Sequence, residues 1–163
     1  GRGLGPNTRA GGDGLGGITW ERAWNFTAPI YEQRFAVGIP VIVDSSLLLA
    51  ILFAESTAPW AEAQLTANAG KLAMSTVNLA EVLIRLRDRR PHNLAQLESQ
   101  ILNSGIRFVA PDVEQARLAA EARMKFPLNL GDCFAYALAK TSNLDLLTLD
   151  QDFRGVDVPV VLP

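Results

Sequence analysis

Val41-Ile42-Val43-Asp44-Ser45-Ser46, with the apolar run Leu47 to Phe53 behind it, is the stretch on which the reading of the fold turns. Three apolar, mostly β-branched residues predict a short buried strand, and Asp44-Ser45-Ser46 then supplies a helix start. A carboxylate is thereby placed at the carboxyl end of a strand, the edge at which open α/β sheets bind ligands. Taken alone, Asp44 is more simply a helix cap. Three other stretches change its weight.

Downstream, strand and helix signals alternate. Leu47 to Ala54 reads as a short apolar helix, and Ser56-Thr57-Ala58-Pro59 starts a second that Gly70 ends. Leu72-Ala73-Met74 is a second strand, and Ser75 or Thr76 caps a long helix to about Arg90, stopped by Pro91. A helix from about Asn93 to Asn103 precedes the strand Ile106 to Ala110, and Asp112 opens a helix reaching about Lys125. Asn129-Leu130-Gly131-Asp132 opens the next, to about Thr141. Leu144 to Leu149 is a fourth strand, Asp150 to Phe153 a tight turn, and Val158 to Leu162 a last edge strand. Strands joined through helices predict a three-layer α/β/α sandwich around a mainly parallel sheet of four to five strands.

Upstream of this pattern the chain changes character. Gly1 to Gly17 holds eight of the thirteen glycines and almost nothing to bury. Ile18 to Pro40 carries Trp20, Trp24, Phe26, Tyr31 and Phe35 with Arg22 and Arg34 between them, a composition suited to lying on an apolar surface. The expected division is a Gly-rich then aromatic extension over residues 1–37, flexible or appended, and one α/β domain over 38–163.

Composition excludes several function classes. A formal net charge of -2 argues against binding nucleic acid by a broad basic surface, so any grip on a polyanion needs a local patch or a metal. The single cysteine, Cys133, forms no internal disulfide and fits a reducing compartment. The single histidine, His92, cannot build a multi-histidine metal site and reads as an ordinary residue near a helix start. No run approaches the length of a membrane span, since Asp44 interrupts the only candidate, and a cytoplasmic location is expected.

Three acids answer Asp44. Glu81 lies in Val77-Asn78-Leu79-Ala80-Glu81-Val82-Leu83-Ile84, where it is either compensated in a buried cleft or placed on a narrow exposed stripe. Asp132 falls in the first turn of an almost wholly apolar helix, where an acid also complements the helix dipole. Asp150 follows the fourth strand as Asp44 follows the first, with Thr148 before it and Asp152 after it. A parallel sheet is able to gather these four carboxylates at one end, an arrangement that would need hard cations to offset mutual repulsion. Oxygen ligands select Mg2+ or Mn2+, and in-line attack of an activated water on phosphate is the chemistry such a site serves. No glycine run of the Walker type is present, so phosphodiester hydrolysis fits better than use of a nucleoside triphosphate.

Asp44 in VIVDSSLLLAIL, Glu81 in STVNLAEVLIRL, Asp132 in LNLGDCFAYALAK and Asp150 in LLTLDQDF resemble the ordered acidic motifs of PIN-domain ribonucleases, closest to VapC-type toxins of bacterial toxin–antitoxin pairs. The resemblance covers about Val41 to Pro163. It implies a PIN-like fold, often dimeric, in which Asp44, Glu81, Asp132 and Asp150 bind Mg2+ or Mn2+ and cut a particular RNA, and a cognate VapB-type antitoxin whose tail covers the site. Ser45 and Thr148 are expected in support. Two departures stand out. Many PIN domains have Asp-Thr-Asn where this chain has Asp44-Ser45-Ser46, so Ser45 still offers a hydroxyl but an amide ligand is lost. The fourth motif offers Asp152 beside Asp150, and Asp150 is favoured.

Arg85, Arg87, Arg89 and Arg90 are the one concentration of positive charge, on the same predicted helix as Glu81. Arg85 stands four residues from Glu81 and is placed to pair with it, while Arg85, Arg87 and Arg89 are either the RNA contacts or a solvated helix end whose cations complement its carboxyl terminus. The aromatic segment from Ile18 to Phe35 is also similar in composition to inhibitory antitoxin tails. Two other classes compete with a metal-dependent endoribonuclease. A phosphoacceptor receiver would want paired acids at the first strand, where Asp44 stands alone. A PIN-like module retained for binding without catalysis is compatible with the Ser45-Ser46 variation.

Overall fold

Each strand of this chain is short, between two and four residues. The structure, a computed structural model, describes residues 38–163. The expected extension and its aromatic segment lie outside the described residues. Strand β1 is Val41–Val43, β2 is Leu72–Ser75, β3 is Arg107–Val109, β4 is Leu146–Leu147 and β5 is Val160–Val161. They form one sheet in the order β3-β2-β1-β4-β5 with every pair parallel. Connecting them are α1 (Ser45–Leu52), α2 (Ala58–Ala67), α3 (Thr76–Arg89), α4 (Leu94–Leu102), α5 (Val113–Lys125) and α6 (Leu130–Ser142). The three-layer α/β/α sandwich around a parallel sheet expected from the sequence is the one observed.

Alternation along the strands divides the core into two slabs. Val43, Leu72, Met74 and Leu147 face α1 to α4, meeting Leu47, Ile51, Leu65, Val82, Leu86, Leu97 and Ile101. Ile42, Ala73 and Leu146 face α5 and α6, meeting Ala119, Ala122, Cys133, Ala135 and Leu138. Cys133 is wholly buried there, and burial pushes its thiol pKa up, so it behaves as a small apolar side chain. His92 is exposed in the turn before α4.

Local chemistry sets the boundaries. Helix α1 begins at Ser45, directly after the Asp44 cap, and does not reach Ala54, which adopts a left-handed φ of 51. Pro59 sits in the first turn of α2 as expected. Ser75 caps α3, its side chain accepting from the Val77 N–H. Asp112 caps α5 and Asn129 caps α6 in the same way. Strands β4 and β5 are shorter than the sequence pattern suggests. After Leu147 the Thr148 hydroxyl accepts from the Asp150 N–H and turns the chain off the ladder into the 3-10 turn Gln151–Phe153. At the other strand, Pro159 contributes only its carbonyl, which accepts from the Leu146 N–H at 2.9 Å.

Chain order fixes where a site can form. From β1 the chain builds outward through β2 to β3, then crosses back to place β4 on the other flank of β1. The connections diverge at the carboxyl ends of β1 and β4, the topological switch point of an open α/β sheet. No described helix is long and apolar enough to cross a membrane.

Phe153, fully buried in the slab with Leu146, Tyr136 and Val158, anchors the turn after β4. Phe153→Ala is expected to cost about 3–5 kcal/mol, read as a lowered midpoint in urea denaturation with little change in slope.

Candidate active site

At the carboxyl end of β1, Asp44 is only 1% exposed, and a carboxylate so placed must be solvated by the protein. Its Oδ1 accepts from the Ser46 N–H at 3.0 Å and the Ser46 hydroxyl at 2.5 Å, and its Oδ2 accepts from the Thr148 hydroxyl at 2.6 Å. Those hydroxyls are themselves anchored, since Ser46 Oγ accepts from the Leu149 N–H and Thr148 Oγ1 from the Asp150 N–H, each at 2.9 Å. The end of β1, the start of α1 and the exit from β4 are thus joined through one aspartate.

Asp132 serves two duties. Its Oδ2 accepts from the Asn129 N–H at 3.0 Å while Asn129 Oδ1 accepts from the Asp132 N–H at 2.9 Å, a reciprocal capping box at the start of α6. It also lines a cavity of about 400 Å3, together with Asp44, Glu81 and Asp150. Ser45, Ser46, Asn129, Arg85, Leu49 and Ile84 complete the walls. The four acids singled out in the sequence, contributed by four separate segments, therefore open on one space. Among the described residues no three of them are drawn together tightly enough to form a ready-made cation cage.

Glu81 is half-buried on α3, a helix less enclosed than its apolar sequence suggests, with Ile84 58% exposed. The Glu81 Oε2 accepts from the Ser45 hydroxyl at 3.0 Å and from Asn78 Nδ2 at 3.1 Å. The expected Glu81–Arg85 pair is not formed, and Arg85 is left exposed at the cavity wall. Asp150 caps the 3-10 turn by accepting from the Asp152 N–H at 2.8 Å. Asp152 is exposed and does not line the cavity, although its charge reaches Asp132. Arg87 points to α4, where its Nη2 meets both Glu98 carboxylate oxygens at 2.8 and 3.0 Å. Arg89 lies over the Phe53 ring, 4.7 Å from its centroid.

Three contributors escaped the sequence reading, the first being Ser46, whose amide and hydroxyl both donate to Asp44. Asn78 is wholly buried, and its Nδ2 donates both to Glu81 and to the Gly131 carbonyl at 3.1 Å, tying α3 to the start of α6. Gly131 lets the Glu81 carboxylate pack against its Cα, because a Cβ there would fall inside that carboxylate. The spacing of Asn78 three residues before Glu81, on one helix face, was the available signal.

Burial dominates the electrostatics. It raises the Asp44 carboxyl to about 7 despite the Ser46 and Thr148 hydrogen bonds, with repulsion from Asp132 adding to it. Asp132 rises to about 6, again mainly by burial, with Asp150, Glu81 and Asp152 repelling its charge. An unfolded aspartate titrates near 3.8, so between that value and about 7 the folded protein holds the extra proton and loses stability as pH rises. Thermal melts in chelator are therefore expected to show a melting temperature falling across that window, with Asp44→Asn flattening the fall. A melting temperature that climbs through the window would contradict the assignment.

The family model for the PIN domain matches residues 41–159. Ribonuclease VapC42 of Mycobacterium tuberculosis is 32% identical over 127 residues, 72% of this chain and 96% of that protein. Ribonuclease VapC of Mycolicibacterium smegmatis is 35% identical over 130 residues, 74% of this chain and 99% of that protein. Among solved structures, the Mycobacterium tuberculosis toxin VapC20, described as cleaving the sarcin-ricin loop, has a TM-score of 0.61 at 20% identity over 76% of this chain and 99% of its own. A toxin-antitoxin complex from Klebsiella pneumoniae gives a TM-score of 0.61 at 23% identity over 74% of this chain and 95% of its own. These structural likenesses show a shared fold. With the family model spanning nearly the whole α/β domain and relatives matched over almost their full length, the chain belongs to the PIN-domain family, in its VapC group.

Proposed function

We propose that this chain is a metal-dependent endoribonuclease of the toxin class, hydrolysing RNA phosphodiester bonds and held in check by a cognate VapB-type antitoxin. The observation that carries this reading is the opening of Asp44, Glu81, Asp132 and Asp150 on one cavity at the sheet's switch point. The donors are all oxygen, and burial and mutual repulsion raise the Asp44 and Asp132 pKa values. Such a cluster fits a hard divalent cation, Mg2+ or Mn2+. Bound there, the ion would lower the pKa of water and offset charge developing on the phosphate.

The chain's own groups have separable tasks. Asp44, Glu81, Asp132 and Asp150 would hold the cation, with Asp152 next to Asp150 as reserve charge. Ser46 and Thr148 fix the direction of the Asp44 oxygens, and Ser45 with Asn78 fixes Glu81. Arg85, exposed at the wall, is placed to meet a substrate phosphate. Arg89 extends positive charge one turn further along α3. Arg87 can join only when its contact with Glu98 opens, so it ranks behind the other two.

The antitoxin proposal is supported by relatives named VapC and by structural neighbours solved as toxin-antitoxin complexes. Ile84, more than half exposed on the cavity wall, offers a protein partner an apolar contact. A homodimer and a cytoplasmic setting complete the proposal, as does a domain boundary near residue 38 that leaves residues 1–37 outside the catalytic unit.

Incubation of a mixed RNA pool with the purified chain and Mg2+ or Mn2+, beside an EDTA control and Asp132→Asn, tests the reading. Cleavage abolished in both controls is expected. Folded protein that binds Mn2+ and leaves all RNA intact would instead leave two readings, a very narrow substrate or a binding module without catalysis. The Glu81 support has its own test. Asn78→Leu, and Gly131→Ala by a different route, are each expected to weaken Mn2+ binding by about 10–100-fold in calorimetric titration.

A further inference from the structure

We infer that a second cavity, beside the acidic one, is a subsite for an unpaired guanine flanking the scissile phosphate, an inference that rests on the ribonuclease reading above. This cavity has a volume of about 150 Å3 and is lined by Leu49, Phe53, Glu55, Arg85, Asp88 and Arg89. Leu49 and Arg85 line the acidic cavity as well, so the two spaces share a wall. A strand whose phosphate meets Arg85 would carry its neighbouring base into this second space.

The lining argues for a base and against a bare phosphate. Arg85 and Arg89 stand one turn apart on α3, with Asp88 on the same stretch and Glu55 reaching in from the loop after α1. Two guanidinium groups and two carboxylates leave the cavity with no net charge, and an anion would be repelled by half of them. Among the described residues, no two of these four form an ion pair, whereas Arg87 on the same helix is fully engaged by Glu98. Their donors and acceptors are thus available to one ligand that presents both kinds of group.

Guanine presents them in the matching pairs. Its O6 and N7 accept two hydrogen bonds from one guanidinium, and its N1–H and N2–H lie side by side for the two oxygens of one carboxylate. Uracil lacks an amino donor, and cytosine and adenine have no such paired donor edge. Phe53, half-buried, carries the Arg89 guanidinium 4.7 Å over its ring centroid and so fixes the plane in which that donor pair meets the base edge. The space suits one base that has left its stack, so the substrate is RNA single-stranded at the cut.

Matched single-stranded RNAs carrying guanine, adenine, cytosine, uracil or inosine beside the cut test the assignment with the full chain and Mg2+. Guanine is expected to give the highest kcat/KM, and inosine, which lacks only the N2 amino group, to lose about tenfold. Asp88→Asn or Glu55→Gln should bring guanine down to the level of inosine. A companion arm measures binding of the guanine and inosine oligonucleotides to the Asp132→Asn protein by fluorescence anisotropy, which needs no turnover. Tighter binding of guanine supports the subsite even if the wild-type chain cuts nothing, a result that would count only against the ribonuclease reading. Cleavage with no base preference overturns the subsite and leaves that reading intact. A guanine preference unmoved by both carboxylate variants, or equal binding of the two oligonucleotides, also overturns it.

Discussion

A carboxylate buried at the end of a central strand has to be solvated by something other than water, and in this chain that requirement organises the site. Asp44 takes hydrogen bonds from the Ser46 amide and hydroxyl on one oxygen and from the Thr148 hydroxyl on the other. Because Ser46 and Thr148 also accept from the backbone of Leu149 and Asp150, the loop after β4 is held by the loop after β1. The position of Asp150 is therefore a consequence of how Asp44 is satisfied. Losing either hydroxyl would leave a buried charge short of a donor and release a neighbouring acid together.

The same cluster works against the stability of the fold. Burial and repulsion keep Asp44 and Asp132 poised at pKa values where ordinary aspartates are long ionised. Asp132 partly recovers this cost by closing the capping box of α6. A group that caps a helix and also faces a cavity is oriented without a separate support, and its direction is set as soon as the helix forms.

Much of this was legible in the sequence, for identifiable reasons. The alternation of short β-branched runs with capped helices is local, and it carried the parallel sheet and the three layers. Asp44, Glu81, Asp132 and Asp150 could be picked out because each breaks an apolar context or follows a strand. Strand ends were over-extended at Leu149 and at Val158, where tertiary hydrogen bonds and Pro159, not propensity, end the ladder. Arg85 next to Glu81 invited a pair, yet Glu81 is taken by Ser45 and Asn78, which reach it from another helix and from the turn before it. Such competition between partners is decided in three dimensions and leaves little trace in spacing. The role of Gly131 was hidden for the same reason, since a glycine in a helix start normally signals only local freedom.

Gly131 carries one more implication. The volume a side chain would fill at that position is already filled by the carboxylate of Glu81, which comes from a separate helix earlier in the chain. In effect the two positions share one side chain. A side chain at residue 131 would turn the flexible end of Glu81 aside, and the displaced carboxylate would leave its place in the acid cluster. The two positions are expected to change together, a larger residue at 131 appearing with a shorter one at 81.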